Sequence, residues 1–246
     1  MDKIRVGAVS YLNTKPLLHG IKEHEIINQI ILIEDYPARI ADMLLNNEID
    51  IGLVPVAIIP RLKEYHIVGE FCIGSEGDVA SVCIFSPVPM QEIKTIILDN
   101  QSRTSVALAK ILLRDYWKQP VDFIQATAED YREKITGTTA ALIIGDRALE
   151  QRNRTEFIFD LGGAWKNHTG LPFVYAAWIA NKVIPPEFIK GFNEANAWGL
   201  NKLAEVIEEN KKQSPSFDLA RYYTEHISYH LTTSKRKGLE LFLSKL

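Results

Sequence analysis

Short apolar runs alternate along the first part of the chain with segments in which apolar residues recur every three or four positions. The runs are typical of buried strands and the periodic segments of amphipathic helices. Strands that alternate with helices form parallel sheets, so the pattern predicts βαβ units. The elements expected here are strands in IRVGAV, QIILIE and IDIGLVPV, and helices from about Pro16 and over Pro37–Asn47.

Two further strands are predicted at His66–Cys72 and Val79–Ser86, and the second of them leads to Pro87 and Pro89. Proline cannot donate to a strand ladder, so we expect these residues to mark a crossing into a second lobe. A second βαβ series follows. Its predicted elements are strands in KTIILD, VDFIQA and TAALIIGD, and helices over Thr104–Tyr116 and from near Ala128 to Lys134.

The last part of the chain is predicted to be helical. After the apolar runs FIFDLGG and LPFVYAAWIA, an amphipathic pattern begins at Pro186 and continues to the end, and we expect these helices to pack on the first lobe. The predicted fold is therefore α/β and two-lobed. Each lobe is expected to be a mostly parallel sheet flanked by helices, with a ligand cleft between the lobes. Lobe one comprises residues 1–85 and 177–246, and lobe two residues 86–176.

Composition and charge narrow the class of protein. The net charge is −3 with both signs mixed along the 246 residues, so we expect neither a nucleic-acid nor a membrane-surface partner. The first apolar run is too short for a signal peptide, and we expect a cytoplasmic protein. Cys72 and Cys83 lie in apolar strand-like runs and are expected to be free buried thiols. His226 and His230 are four positions apart, but no third ligand accompanies them, so no metal is expected.

The most informative polar cluster follows the first strand, where IRVGAV ends in Ser10, Tyr11 and Asn13. In an open α/β sheet the carboxyl ends of strands face the ligand crevice. Asn13 offers both a donor and an acceptor without a charge. The alternative interpretation is a turn and helix cap without any ligand.

A second polar cluster, Ser102, Arg103, Thr104 and Ser105, lies at the start of a predicted helix. Hydroxyls, backbone N–H groups and the helix dipole make such a position an anion site. Arg103 would add a carboxylate contact, although arginine in such a loop is as often solvated. Helix capping is again the alternative.

Three weaker candidates are Asp146, which follows the run ALIIG, and Thr169 with Gly170, which precede an aromatic run. Their alternatives are a helix cap and core packing. The chain lacks the sequence signatures of a nucleophile elbow, a P-loop, a dinucleotide turn and a zinc-binding helix, and we expect no cofactor.

Five segments, taken in order, resemble the chorismate dehydratase family of the futalosine route to menaquinone. They are VSYLNTKPL from Val9, DIGLVPV from Asp50, SRTS from Ser102, IGD from Ile144 and TGLPFVYAAW from Thr169. That family has the two-lobed periplasmic-binding-protein fold of the second type, which agrees with the predicted lobes. A sister family acting on cyclic dehypoxanthine futalosine shares the fold but begins with a different loop, so VSYLNTKPL favours the dehydratase.

The resemblance implies a hydro-lyase that eliminates water from chorismate to give 3-[(1-carboxyvinyl)oxy]benzoate, with the substrate's own enolpyruvyl carboxylate as base. It implies catalytic roles for Asn13 and for Ser81 in GDVASV. The expected substrate-binding residues are Ser10, Tyr11, Ser102, Arg103, Thr104, Ser105, Asp146, Thr169 and Gly170. A non-catalytic solute-binding protein for small anions and, more remotely, the effector-binding domain of a transcription regulator are the rival interpretations. The oligomeric state is not predicted.

Overall fold

The computed structural model describes residues 3–127, 129–213 and 217–246, which form two β-sheets flanked by helices. The strands, in chain order, are β1 Ile4–Val9, β2 Ile30–Asp35, β3 Ile51–Pro55, β4 His66–Ser75, β5 Val82–Ser86, β6 Thr95–Leu98, β7 Asp122–Gln125, β8 Thr139–Ile144, β9 Phe157–Asp160, β10 Phe173–Ala180 and β11 Ser228–His230. The α-helices are α1 Lys15–Glu23, α2 Pro37–Leu45, α3 Arg103–Leu112, α4 Asp146–Gln151, α5 Leu161–Thr169, α6 Pro186–Asn201, α7 Leu203–Asn210, α8 Leu219–Arg221 and α9 Thr233–Leu243. Short 3-10 helices lie at Leu12–Thr14, Glu25–Gln29, Val56–Arg61, Met90–Glu92, Glu129–Lys134, Arg152–Arg154 and Lys211–Gln213, and single π turns at Leu113–Trp117 and Tyr222–His226.

The two sheets share one topological plan. The first has the order β2-β1-β3-β10-β4-β11 and the second the order β7-β6-β8-β5-β9. β1 runs parallel to β2 and β3, and β6 runs parallel to β7 and β8, as the alternation of strands and helices predicts. The predicted α/β architecture of two helix-flanked sheets is therefore present.

Both sheets are mixed, although most strands of each run in one direction, as expected. β10 is antiparallel to β3 and β4, and β5 is antiparallel to β8 and β9. Each of these two strands enters its sheet from the other sheet and is inserted between strands of the opposite direction. At the edge of the first sheet, β11 is also antiparallel to β4.

The sheets to which β5 and β10 belong also bear on where the chain crosses between the lobes. β5 belongs wholly to the second sheet, and β10 already belongs to the first sheet at Phe173. Pro87 and Pro89 accordingly follow a strand of the second sheet and do not mark the crossing. In place of the boundaries at 85/86 and 176/177, we propose crossings between Ser75 and Val82 and between Thr169 and Phe173.

Other differences from the predicted elements arise from tertiary contacts. The helix expected to reach Tyr116 ends as α3 at Leu112 and continues as a π turn. In the helix expected from Ala128, that residue lies outside the described residues, and Glu129–Lys134 forms a 3-10 helix. The C-terminal part is not continuously helical, because β11 pairs with the edge of β4, so His226 and His230 do not share a helix face.

The C-terminal helices pack on the first sheet, as predicted. α6 lies against α1 and β4, and the two helices approach closely at Gly20 and Gly199. A Cβ at Gly20 would be 2.0 Å from the Ala195 carbonyl oxygen, and one at Gly199 would be 1.9 Å from that of Pro16. Only glycine permits this approach, which holds α6 against α1.

The sequence also predicts the state of the two cysteines. Cys72 and Cys83 are free and buried, as expected, and burial raises the pKa of the Cys72 thiol to about 11. Among the described residues, no helix is long and apolar enough to cross a membrane.

Candidate functional site

A cavity lies between strand ends of the two sheets. Val9 at the end of β1, Pro55 at the end of β3 and Ile144 at the end of β8 contribute to its wall. These are carboxyl ends of parallel strands, where α/β proteins place their ligands. Further apolar parts of the wall come from Leu53, Ile73, Val79, Val82 and Tyr175.

Six of the residues predicted for the site lie together in the lining of this cavity. They are Tyr11, Asn13, Ser81, Ser102, Thr104 and Ser105. The first two come from the segment between β1 and α1, Ser81 precedes β5, and the other three form the start of α3. A single cavity therefore gathers segments that are far apart in the sequence.

Ser10, Thr169 and Gly170 are not in the lining. Ser10 is exposed, and its backbone N–H donates to the Asp35 carbonyl. The Thr169 hydroxyl donates to the carbonyl oxygen of Trp165 at 2.8 Å, and Gly170 ends α5 with φ at +74°. The structure therefore assigns Thr169 and Gly170 to the capping of α5, since a left-handed residue is a common helix end.

Arg103 and Asp146 also lie outside the lining, but both connect the two sides of the cavity. Arg103 Nη2 donates to Asp42 Oδ1 at 2.5 Å, whereas its Nη1 is buried with no hydrogen-bond partner among the described residues. Asp146 Oδ1 accepts the backbone N–H of Leu12 at 3.1 Å. Burial raises the pKa of Asp146 to about 6, because the Leu12 N–H offsets only part of the cost of removing a carboxylate from water.

Two further contacts between described residues join the same walls. The Tyr11 hydroxyl donates to Gln101 Oε1, and the Ala57 N–H donates to Thr104 Oγ1 at 3.1 Å. Together with the contacts of Arg103 and Asp146, they hold the start of α3 and the start of α4 against the first sheet. The cavity is therefore bordered by both lobes.

The polar part of the cavity is made of neutral groups that can donate hydrogen bonds. Ser102 Oγ accepts the Ser105 N–H at 3.1 Å and thereby caps α3. A hydroxyl has one proton, so the hydroxyls of Ser102 and Thr104, whose oxygens already accept from the backbone, can donate into the cavity. The positive end of the α3 dipole lies at the same place. Of the described residues that line the cavity, none has a charged side chain.

Ser81 is held by a strained turn. Ala80, immediately before it, has φ at +63°, a conformation that is costly for any residue with a Cβ. The carboxylate of Asp160 supports this conformation by accepting the N–H groups of Val79 at 3.0 Å and Ala80 at 2.7 Å. The Gly145 N–H donates to the Ser81 carbonyl at 2.8 Å. Strain that surrounding contacts maintain is typical of functional positions.

Two tyrosines from the C-terminal segment contact the predicted site residues, and sequence reasoning missed both. The Tyr222 hydroxyl is 2.7 Å from Ser81 Oγ, and the Tyr229 hydroxyl donates to the Asn13 carbonyl at 3.0 Å. Asn13 Oδ1 also accepts from the Thr14 hydroxyl at 3.1 Å. No local pattern separates such tyrosines from core tyrosines, although their density in RYYTEHISYH is a weak signal.

The chemistry available in the cavity is anion binding by neutral donors. The part of the chain that the structure describes has no group of three or more histidine, cysteine, aspartate or glutamate side chains placed to hold a metal ion. Amide, hydroxyl and helix-end donors stabilise negative charge where it develops on a ligand.

Two mixed sheets that each insert a strand from the other, with a ligand cavity between them, define the class of two-lobed periplasmic-binding-protein-like folds. The crystal structure of a protein from Archaeoglobus fulgidus matches with a TM-score of 0.79 at 14% identity, covering 99% of this chain and 96% of that one. The periplasmic aliphatic sulphonate binding protein of Escherichia coli matches with a TM-score of 0.66 at 15% identity, covering 99% and 87%. The predicted fold class is confirmed.

Residues 4–246 match the sequence model of a family described as menaquinone biosynthesis, and the chain belongs to that family. A chorismate dehydratase of Thermus thermophilus is 28% identical to it over 262 residues, covering 98% of this chain and 94% of the relative. A chorismate dehydratase of Campylobacter jejuni is 24% identical, covering 94% and 92%. The resemblance found in the sequence is thus confirmed at the level of the family.

Proposed function

We propose that this protein is a chorismate dehydratase, a lyase that removes water from chorismate to give 3-[(1-carboxyvinyl)oxy]benzoate in menaquinone biosynthesis. The observation that carries the proposal is the lining of the cavity, where hydroxyl and amide donors and the start of α3 meet without any charged side chain. Chorismate is a dianion rich in hydrogen-bond acceptors, and such a lining is complementary to it.

The lining also bears on the identity of the base. Among the described lining residues there is no carboxylate, histidine, lysine or cysteine that could remove the proton from C3. The enolpyruvyl carboxylate of chorismate itself is close to that proton. We therefore assign the role of base to the substrate, and to the protein the role of holding it in the reactive geometry.

In this mechanism the C3 proton moves to the enolpyruvyl carboxylate, and the electrons left on C3 delocalise through the diene into the ring carboxylate. Hydroxide then leaves C4, the ring becomes aromatic, and the proton and hydroxide together make the water that is lost. Because the proton and the hydroxyl lie on the same ring face, stepwise elimination is favoured over a concerted anti path.

The residues of this chain act on the charges that develop. Asn13 orients the reacting carboxylate or the leaving hydroxyl, and Ser81 donates a hydrogen bond to the same region. The hydroxyls of Ser102, Thr104 and Ser105 bind a carboxylate at the start of α3. Arg103 and Asp146 act indirectly. Their contacts with Asp42 and Leu12 hold the two walls of the cavity together.

The test is to incubate the purified protein with chorismate and to follow the product by mass spectrometry. Ser81→Ala is compared with Ser86→Ala, a matched control on β5 that is equally buried but whose hydroxyl accepts the Val88 N–H outside the cavity. We expect wild type and Ser86→Ala to release a product lighter by one water, and Ser81→Ala to do so at least about tenfold more slowly.

Binding of chorismate without any loss of water would refute the dehydratase proposal and favour the non-catalytic solute-binding alternative. Equal rates for the two serine variants would remove Ser81 from the site while leaving the proposed reaction intact. Urea unfolding of both variants shows whether a lower rate reflects a folding defect.

A further inference from the structure

The side chain of Tyr222 lies outside the cavity lining, and its hydroxyl is hydrogen-bonded to a residue of that lining. Tyr222 is fully buried at the start of the π turn Tyr222–His226, and its hydroxyl is 2.7 Å from Ser81 Oγ. Within the described residues, this is the single hydrogen bond of either hydroxyl. The π turn follows α8 directly, and Tyr222 at its start reaches the strained turn that holds Ser81.

The direction of this hydrogen bond follows from what surrounds each hydroxyl. Two hydroxyls that share one hydrogen bond retain one unused proton. If Ser81 donated, the unused proton would be that of Tyr222, buried where the described residues offer it no acceptor, and an unpaired buried donor is costly. If Tyr222 donates, the unused proton is that of Ser81, which lines the cavity and can be accepted by a ligand.

We propose that Tyr222 is a positioning residue that, by donating to Ser81 Oγ, makes the Ser81 hydroxyl a hydrogen-bond donor directed at the ligand. The inference rests on the proposed function in that the ligand is taken to be chorismate. Tyr222 acts through Ser81 and does not touch the substrate. Burial raises the pKa of the Tyr222 phenol well above its usual value, so it keeps its proton and remains a donor at any working pH.

This role explains why a lone serine suffices at this point of the site. A serine hydroxyl rotates freely and can donate or accept. It therefore points its proton at an anionic ligand in only some of its orientations, and its hydrogen bond stabilises the ligand less. When its oxygen accepts from a fixed phenol, the hydroxyl is preorganised to donate, and preorganised donors give the strongest stabilisation of developing negative charge.

The experiment is a double-mutant cycle with Tyr222→Phe, Ser81→Ala and the combined variant, in which kcat and KM for chorismate are measured. We expect Tyr222→Phe alone to lower kcat about three- to tenfold, the usual effect of one neutral hydrogen bond, with a smaller change in KM. In the Ser81→Ala background the same change should lower kcat by less than about 1.5-fold, since its target is gone.

Tyr223→Phe is the matched control. Tyr223 is the next residue, is equally buried, and its hydroxyl has no hydrogen-bond partner among the described residues, so the loss of its oxygen should leave kcat unchanged. Thermal unfolding of each variant separates catalytic from folding effects, and Phe preserves the packing of the ring.

Two outcomes would overturn the role of Tyr222. One is that Tyr222→Phe reduces kcat by the same factor with and without the Ser81 hydroxyl, which indicates a general structural effect. The other is that Tyr222→Phe and Tyr223→Phe behave alike. If the wild type binds chorismate without dehydrating it, the proposed function fails, and the same cycle is then measured in Kd, where the coupling between Tyr222 and Ser81 is still expected.

Discussion

Asp146 provides a prediction whose size and sign both follow from the structure. Its carboxylate is half-buried where the two lobes meet and accepts the Leu12 N–H, and its pKa is raised from 3.8 to about 6. A carboxyl with a higher pKa in the folded protein binds its proton more tightly there than in the unfolded chain. Ionisation therefore weakens the folded state, and the free energy of unfolding falls as the pH rises from about 4 to about 6.

A shift of about two pKa units corresponds to about 3 kcal/mol, which is fully expressed above pH 6. Asp146→Asn removes the ionisation but keeps a carbonyl oxygen that can accept the Leu12 N–H. We therefore expect the stability of the variant relative to wild type to improve by about 3 kcal/mol between pH 4 and pH 7. Any effect of the amide on the free energy of unfolding that is the same at every pH cancels when the two pH values are compared.

Urea unfolding followed by tryptophan fluorescence at several pH values measures this difference. Asp115→Asn is the control of opposite sign, because hydrogen bonds from Arg114 and Lys245 hold the pKa of Asp115 below its usual value. That variant should lose stability relative to wild type as the pH rises through the range below about 4, and the difference should change little between pH 4 and pH 7. A difference between Asp146→Asn and wild type that does not change with pH would refute the assignment of a half-buried, ionisable Asp146.

Two further predictions concern the cavity wall. Asn13→Asp places a negative charge beside an anionic substrate and should lower kcat/KM for chorismate at least about tenfold with little change in thermal stability; turnover equal to wild type would remove Asn13 from the site. Gly145→Ala forces a Cβ into a backbone with φ at +63° and to 3.0 Å from the Tyr11 ring, and should cost about 1–3 kcal/mol in urea unfolding. Gly137→Ala has a similar φ of +57° with no atom within 4 Å, so an equal loss in both variants would exclude a role for the Tyr11 contact.

Much of the fold could be predicted because it depends on local patterns. Strands with continuous apolar sequence and helices with a three- to four-residue apolar period were expected along most of the chain, and β1 to β3 and β6 to β8 form where the alternation places them. The apolar pattern did not predict the direction in which β5 and β10 run in their sheets. An apolar run has the same composition whichever way the strand runs, so insertion between strands of opposite direction is decided by the path of the chain between sheets.

Some features of the candidate site could likewise be predicted from local sequence, and others could not. Asn13 and Ser102 were predicted for the site because each follows a strand and precedes a helix, an arrangement that directs polar groups to the strand ends, and both line the cavity. Thr169 and Gly170 have the same residue types, but the structure uses them to end α5. Composition alone cannot distinguish a cap from a ligand contact, because both need the same hydroxyl and the same left-handed glycine.

By itself, the sequence determined that the chain forms α/β units, that polar clusters lie at their strand ends, and that the chain carries the segments of a menaquinone-biosynthesis family, because these properties reside in short contiguous stretches. Only the tertiary structure decided which clusters meet in one cavity, that Arg103 pairs with Asp42, and that Tyr222 contacts Ser81. Tyr222 and Ser81 are 141 positions apart in the sequence. A contact over that separation exists only once both sheets and the C-terminal segment have packed together.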